Sequence, residues 1–120
     1  MKLLIVDDSN IIRRLLERSL QSPDFTEVRA AHNGRQAMEI FAEYRPDVVT
    51  MDITMPELDG LECVSRMSKL QPGVKILVIS ALGDRHTAVE AVKRGAESFL
   101  LKPITAEVVG TAISELFETD

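Results

Sequence analysis

A chain of 120 residues is long enough for one domain that buries roughly two-thirds of the surface its unfolded form would expose, and too short for a second. Its 19 acidic residues against 14 basic give a net charge of −5, with no block of Lys or Arg, which argues against direct contact with nucleic acid or an anionic membrane. The single cysteine, Cys63, leaves no disulfide within the chain and suits a reducing compartment, so a cytoplasmic protein is expected. The apolar opening Leu3–Val6 meets Asp7 and Asp8 far short of the about 7 to 15 residues a signal-peptide core needs, and no run approaches transmembrane length.

Short apolar runs alternate with stretches of helical spacing along the whole chain, the pattern of βα units around a parallel sheet. Strand one is Leu3–Val6. The first helix carries Ile11, Ile12, Leu15, Leu16 and Leu20 on one expected inner face, with Asp8 or Ser9 placed to cap it and Pro23 beyond its end. A short strand near Thr26–Ala30 follows, and Asn33-Gly34 opens a second helix whose Ala37, Met38, Phe41 and Tyr44 face inward until Arg45-Pro46 closes it. Strand three, Val48–Met51, leads to Asp52 and a loop, Ile53 to Gly60, that carries a proline and an Asp-Gly turn signal. The third helix, which holds Cys63, ends at Gln71-Pro72-Gly73, and strand four, Ile76–Ile79, runs into Ser80. Ala81-Leu82-Gly83-Asp84 leads into helix four and can cap it, while Ala88, Val89 and Val92 are expected to pack inward and Gly95 to end the element. Strand five spans about Ser98 to Leu101, Lys102-Pro103 follows, and helix five begins near Thr105. One domain over residues 1–120 is expected.

Four of these strands end in residues suited to a phosphoryl group. In a parallel sheet Asp7, Asp8, Asp52, Ser80 and Lys102 would meet at the carboxyl edge, where open α/β sheets bind ligands. Two unit charges about 4 Å apart interact by roughly 4 kcal/mol at an effective dielectric near 20, so three ionised acids there call for a divalent cation. Asp52, at the centre of the edge, reads as a nucleophile able to form an aspartyl phosphate. The Asp7-Asp8 pair suits Mg²⁺, a hard cation that prefers oxygen ligands. Lys102 can hold phosphate oxygens as a point charge, and Ser80 can donate one hydrogen bond to them. His32, His86, Arg13 and Arg14 read as loop or solvated surface residues, and Met38, Met51, Met55 and Met67 as packing or loop residues.

Asp7-Asp8, Asp52 followed by Met55-Pro56 and Asp59-Gly60, Ser80-Ala81, Gly95-Ala96, and Phe99 with Lys102-Pro103 together resemble the response regulator receiver domain, of the single-domain chemotaxis type. The resemblance covers essentially the whole chain. It implies an α/β, flavodoxin-like three-layer (βα)5 fold with a five-stranded parallel sheet in the order 2-1-3-4-5. It makes Asp52 the phosphorylation site, Asp8 and Asp52 direct Mg²⁺ ligands, Thr54 a ligand through its carbonyl, and Asp7 a support acting through water. Mn²⁺ could substitute for Mg²⁺. Lys102 would hold the phosphoryl group before a cis Pro103 bond, and Phe99 would turn inward as Ser80 is drawn to the phosphate. Thr54 and Leu82 stand where the resemblance places groups that flank the water attacking the acyl phosphate.

The partners so implied are a sensor histidine kinase or phosphotransfer domain, an output protein on the face of helix four, strand five and helix five, and a phosphatase; the chain itself is expected to be a monomer and no enzyme beyond its own phosphotransfer and dephosphorylation. A phosphate shuttle or sink, or a receiver belonging to a larger effector protein, is the runner-up. A dehalogenase-type phosphatase would need a second acid two residues after its nucleophile, where this chain has Thr54. A flavin carrier would need a Ser/Thr/Gly-rich loop where Asp7-Asp8-Ser9-Asn10 repels phosphate, and a receiver-like scaffold that is never phosphorylated has no need of the complete acidic set.

Overall fold

Strict alternation in the strands sorts the apolar side chains onto two faces of one sheet. The computed structural model describes residues 1–20, 24–53, 60–81 and 83–117. Its strands are β1 (Lys2–Val6), β2 (Glu27–Ala31), β3 (Val48–Asp52), β4 (Lys75–Ser80) and β5 (Ser98–Leu101), all paired in parallel in the order β2-β1-β3-β4-β5. Between and after them come α1 (Asn10–Ser19), α2 (Gly34–Tyr44), α3 (Gly60–Leu70), α4 (Arg85–Lys93) and α5 (Ala106–Leu116).

Leu3, Ile5, Val48, Leu77 and Ile79 point to one face, where they pack with Leu16 of α1 and Val109, Ala112, Ile113 and Leu116 of α5. Leu4, Val6, Val49, Met51, Ile76 and Val78 point to the other, against Phe41 of α2, Cys63, Val64 and Met67 of α3 and Ala91 of α4. The fold is the three-layer flavodoxin-like α/β sandwich that the resemblance implies. A fully buried Leu or Ile contributes about 1.5–3 kcal/mol, so β1, β3 and β4, buried on both faces, are the firmest elements and hold the residues at their carboxyl ends in place.

Local signals set the helix starts. Ser9, not Asp8, caps α1: its hydroxyl accepts from the Ile12 amide at 3.3 Å, which leaves the Asp8 carboxylate for the sheet edge. Asn33 caps α2 by accepting from the Gln36 amide at 2.7 Å, while Gln36 accepts in return from the His32 amide at 2.8 Å.

Two expected inner faces differ in part from those observed. Ile11 is 78% exposed, and the stripe that meets the core runs through the other expected residues, Ile12, Leu15, Leu16 and Leu20. On α4 the buried pair is Ala88 and Ala91, an i, i+3 pair, whereas Val89 and Val92 are each 39% exposed. Two alanines facing the sheet allow a helix to sit closer than two valines would, and that packing outweighs the hydrophobicity of the larger side chains. Arg13 is no solvated surface residue either: it is half-buried, and its guanidinium donates to the Asp7 carbonyl at 2.6 Å and to the Asn10 side chain.

Candidate phosphoryl-acceptor and metal site

The alternation that builds the core also aims the site. On the α1/α5 side of the sheet the series Leu3, Ile5 continues to Asp7, and the series Val48, Thr50 continues to Asp52. Ser80 follows Ile76 and Val78 and so belongs to the opposite side, as does Phe99, which pairs with Val78 in register and packs against that cluster. The acidic centre and the hydroxyl with its aromatic neighbour thus occupy two sides of the same edge.

Asp7, Asp8 and Asp52 each offer a carboxylate oxygen, and these oxygens lie within 4.8 Å of one another. Asp7 and Asp52 are buried and Asp8 is exposed. Lys102, beyond the end of β5, places its Nζ 3.4 Å from Asp52 Oδ2, and its own amide donates to the Ser80 carbonyl at 2.7 Å, tying the ends of β4 and β5 together. The Lys102–Pro103 peptide bond is cis. After Asp52 the Ile53 amide donates to the Ile79 carbonyl at 3.1 Å, and where the chain returns at Gly60 a Cβ would stand only 2.7 Å from Ile53 Cα. Only glycine fits that close approach. Thr54, Met55, Pro56, Asp59 and Leu82 lie outside the described residues.

Burial pushes the Asp7 carboxyl up to about 6 from its ordinary 3.8; the Ser9 amide, which donates to its Oδ1 at 2.9 Å, opposes this, the Asp52 charge adds to it, Lys102 opposes it and Asp8 adds to it. Its other oxygen, Oδ2, is buried without a hydrogen-bond partner among the described residues. A buried carboxylate oxygen left without a donor, inside a group of three acids facing one lysine, is the environment a hard divalent cation would relieve. The donor set is all oxygen and exposed on the Asp8 side, which fits Mg²⁺ with part of its water retained.

Thr50, one turn of the pleat before Asp52, carries a buried hydroxyl with no partner among the described residues. Thr50→Val keeps the shape and deletes the unsatisfied group, so it is expected to raise stability by about 1 kcal/mol and the melting temperature by a few degrees. Thermal unfolding checks this; a fall in melting temperature would mean that the hydroxyl has a water partner.

Arg13 and Asp84, which touches Ser80, are the neighbours of the site that residue types alone do not single out. A helical arginine reaching back over one turn to a strand-end carbonyl has no sequence signature, whereas an acid four residues after Ser80, just past a glycine, is a discernible cue.

An open parallel sheet with three acids, a lysine and a hydroxyl at its carboxyl edge marks a doubly wound α/β protein with its candidate site where such sheets bind ligands. Residues 3–114 match the response regulator receiver domain, and the chain belongs to that family. It is 40% identical to the chemotaxis protein CheY of Listeria monocytogenes over 96% of this chain and 97% of that protein. It is also 34% identical to the regulatory protein AtoC of Escherichia coli, over 98% of this chain but 25% of that one. Among solved structures, the receiver domain of NtrX from Brucella abortus superposes with a TM-score of 0.86 at 32% identity, covering 98% of this chain and 99% of that domain. No helix among the described residues is long and apolar enough to cross a membrane.

Proposed function

We propose that residues 1–120 act as a receiver that takes a phosphoryl group onto Asp52 from a phosphohistidine of a sensor kinase or phosphotransfer domain. The carrying observation is the placement of Asp52, 1% exposed, beside two further acids and 3.4 Å from the Lys102 ammonium. A carboxylate oxygen of Asp52 attacks phosphorus in line, the P–N bond breaks with its electron pair going to the imidazole, and an acyl phosphate results. Bound Mg²⁺ would supply charge neutralisation at the phosphoryl oxygens. Asp8 and Asp52 would be its carboxylate ligands, with the Thr54 carbonyl, and Asp7 would support it through water. Lys102 neutralises a further phosphoryl oxygen as a point charge, and burial of Asp52 limits access of hydrolytic water.

Ser80 and Phe99 stand on the inner edge of the α4-β5-α5 face, and Val89, Val92 and Val108 are exposed there. That face suits an output protein bound after Ser80 is drawn toward the phosphate. The likeness to full-length CheY proteins supports a chemotaxis-type, cytoplasmic and monomeric signalling role, with a phosphatase as the third partner and no catalysis beyond self-phosphorylation and self-dephosphorylation. The match to a quarter of AtoC favours a second reading, a receiver serving a larger effector protein.

Incubation with acetyl phosphate and Mg²⁺ is expected to add one phosphoryl group, read by intact-protein mass spectrometry and mapped to Asp52 by borohydride reduction and peptide analysis. Incorporation at another residue, or none in the presence of Mg²⁺, would overturn the assignment.

A further inference from the structure

The start of α4 differs from the starts of α1, α2 and α5 in one respect that involves Ser80. Ser9, Asn33 and Thr105 have extended backbones at those three N-caps, and each side chain accepts from an amide three residues on. Asp84 holds the same position on α4, yet it has φ −103° and ψ 43° and its carboxylate caps nothing. Asp is among the strongest capping residues, and here its carboxylate has another partner.

That partner is the Ser80 hydroxyl, which lies 3.4 Å from Asp84 Oδ2 and 3.4 Å from the Asp84 carbonyl. One hydroxyl proton faces two acceptors at equal distance, both beyond the usual 2.7–2.8 Å of an O–H···O bond, and the tether is therefore weak. The chain between them makes the contact: Gly83 takes φ +92°, and the Asp84 amide donates to the Ala81 carbonyl at 3.0 Å, folding Asp84 back over the end of β4. A weak tether on a side chain with a better use elsewhere is a bistable arrangement.

We propose that Asp84 is a positioning residue whose carboxylate exchanges partners with the state of Asp52. While Asp52 carries no phosphoryl group, Asp84 holds the Ser80 hydroxyl away from the acidic centre. When a phosphoryl group on Asp52 draws that hydroxyl, the Asp84 carboxylate is released and caps the first-turn amides of α4, His86 and Thr87. The inference rests on Asp52 being the acceptor and adds to it a route by which the occupied site firms the start of α4. Ser80 then communicates with the α4 face through a hydrogen bond as well as through Phe99.

Residue-resolved amide hydrogen exchange by NMR tests this. In the wild-type protein with Mg²⁺, seating beryllofluoride at Asp52 is expected to slow exchange at His86 and Thr87 by about threefold to tenfold, the range a side-chain cap confers. Ser80→Ala is expected to show the same slowing without beryllofluoride, because nothing then competes for the Asp84 carboxylate. Asp84→Ala should exchange fast in both states, and Asp84→Asn, which keeps an acceptor oxygen, should restore the dependence on beryllofluoride. Fast exchange at both amides in free Ser80→Ala, or no slowing in wild type while ¹⁹F NMR shows beryllofluoride bound at Asp52, would overturn the proposal. If beryllofluoride fails to bind at Asp52 while Ser80→Ala still slows the two amides, the acceptor reading falls and takes the coupling to Asp52 with it, while the competition between Ser80 and the α4 amides for Asp84 stands.

Discussion

Lys102→Ala is expected to take up phosphate from acetyl phosphate about 10²–10³-fold more slowly than the wild-type protein, with its fold intact. The ammonium group 3.4 Å from Asp52 Oδ2 is the one cationic side chain among the described residues that reaches the acidic centre by an ion pair. Removing a single preorganised charge from a site where negative charge accumulates typically costs that factor. The backbone is not at risk, since the Lys102 amide that bonds the Ser80 carbonyl remains in alanine. Lys102→Arg is expected to recover only part of the rate: its planar fork is longer and does not reproduce a compact point charge. Time courses of intact mass at saturating Mg²⁺ measure both, with Asp52→Asn, expected to take up no phosphoryl group, as the baseline. A Lys102→Ala rate within about threefold of wild type would remove Lys102 from the phosphoryl site. The same variant should be less stable without metal at neutral pH, because three carboxylates then share the edge without the ammonium that pairs with Asp52.

Stability of the metal-free protein is expected to fall as pH rises from about 4 to about 6, against the usual gain of folded proteins over that range. Asp7 is the cause. Its carboxyl titrates near 3.8 in the unfolded chain and is held at about 6 in the fold, chiefly by burial. Between those values the unfolded chain has released the proton and the folded one retains it, so the native state binds more protons and rising pH favours unfolding. Below about pH 4 both states are protonated and the effect vanishes. Above pH 6 both are ionised and the full penalty persists, on the order of 2–3 kcal/mol for a gap of this size.

Asp7→Asn removes the charge while its Oδ1 can still accept from the Ser9 amide, so the variant should be the more stable protein at pH 7.5 and the equal of wild type at pH 4. Mg²⁺ favours the ionised form and should recover stability in the wild type at pH 7.5 but not at pH 4. Urea denaturation across pH, with and without Mg²⁺, reads all three expectations. Parallel pH curves for wild type and Asp7→Asn would show that the Asp7 charge carries no such penalty.

Read alone, the chain determined its element order, its class and the residues of its acidic edge, because each rests on local chemistry. Runs such as Leu3–Val6 and Ile76–Ile79 are too short for buried helices and end in polar residues, which parallel pairing brings to one edge; that Asp7 and Asp52 also share a side of the sheet follows from the Leu3–Val48 register. Ser9 and Asn33 carry their caps in their own side chains. What neighbours decide was not legible there. Whether Ile11 joins Ile12 at the core, and whether Val89 or Ala91 faces it, depends on how closely a helix settles on the sheet, a property of two surfaces rather than one. The engagement of Arg13 with the Asp7 carbonyl depends on how α1 leaves β1, and the upward displacement of the Asp7 carboxyl depends on burial that arises only in the assembled fold. The contact between Ser80 and Asp84 is of the same kind: the residues are four apart, but only the fold of the turn through Gly83 turns a capping residue away from its helix and onto a hydroxyl at the end of the strand.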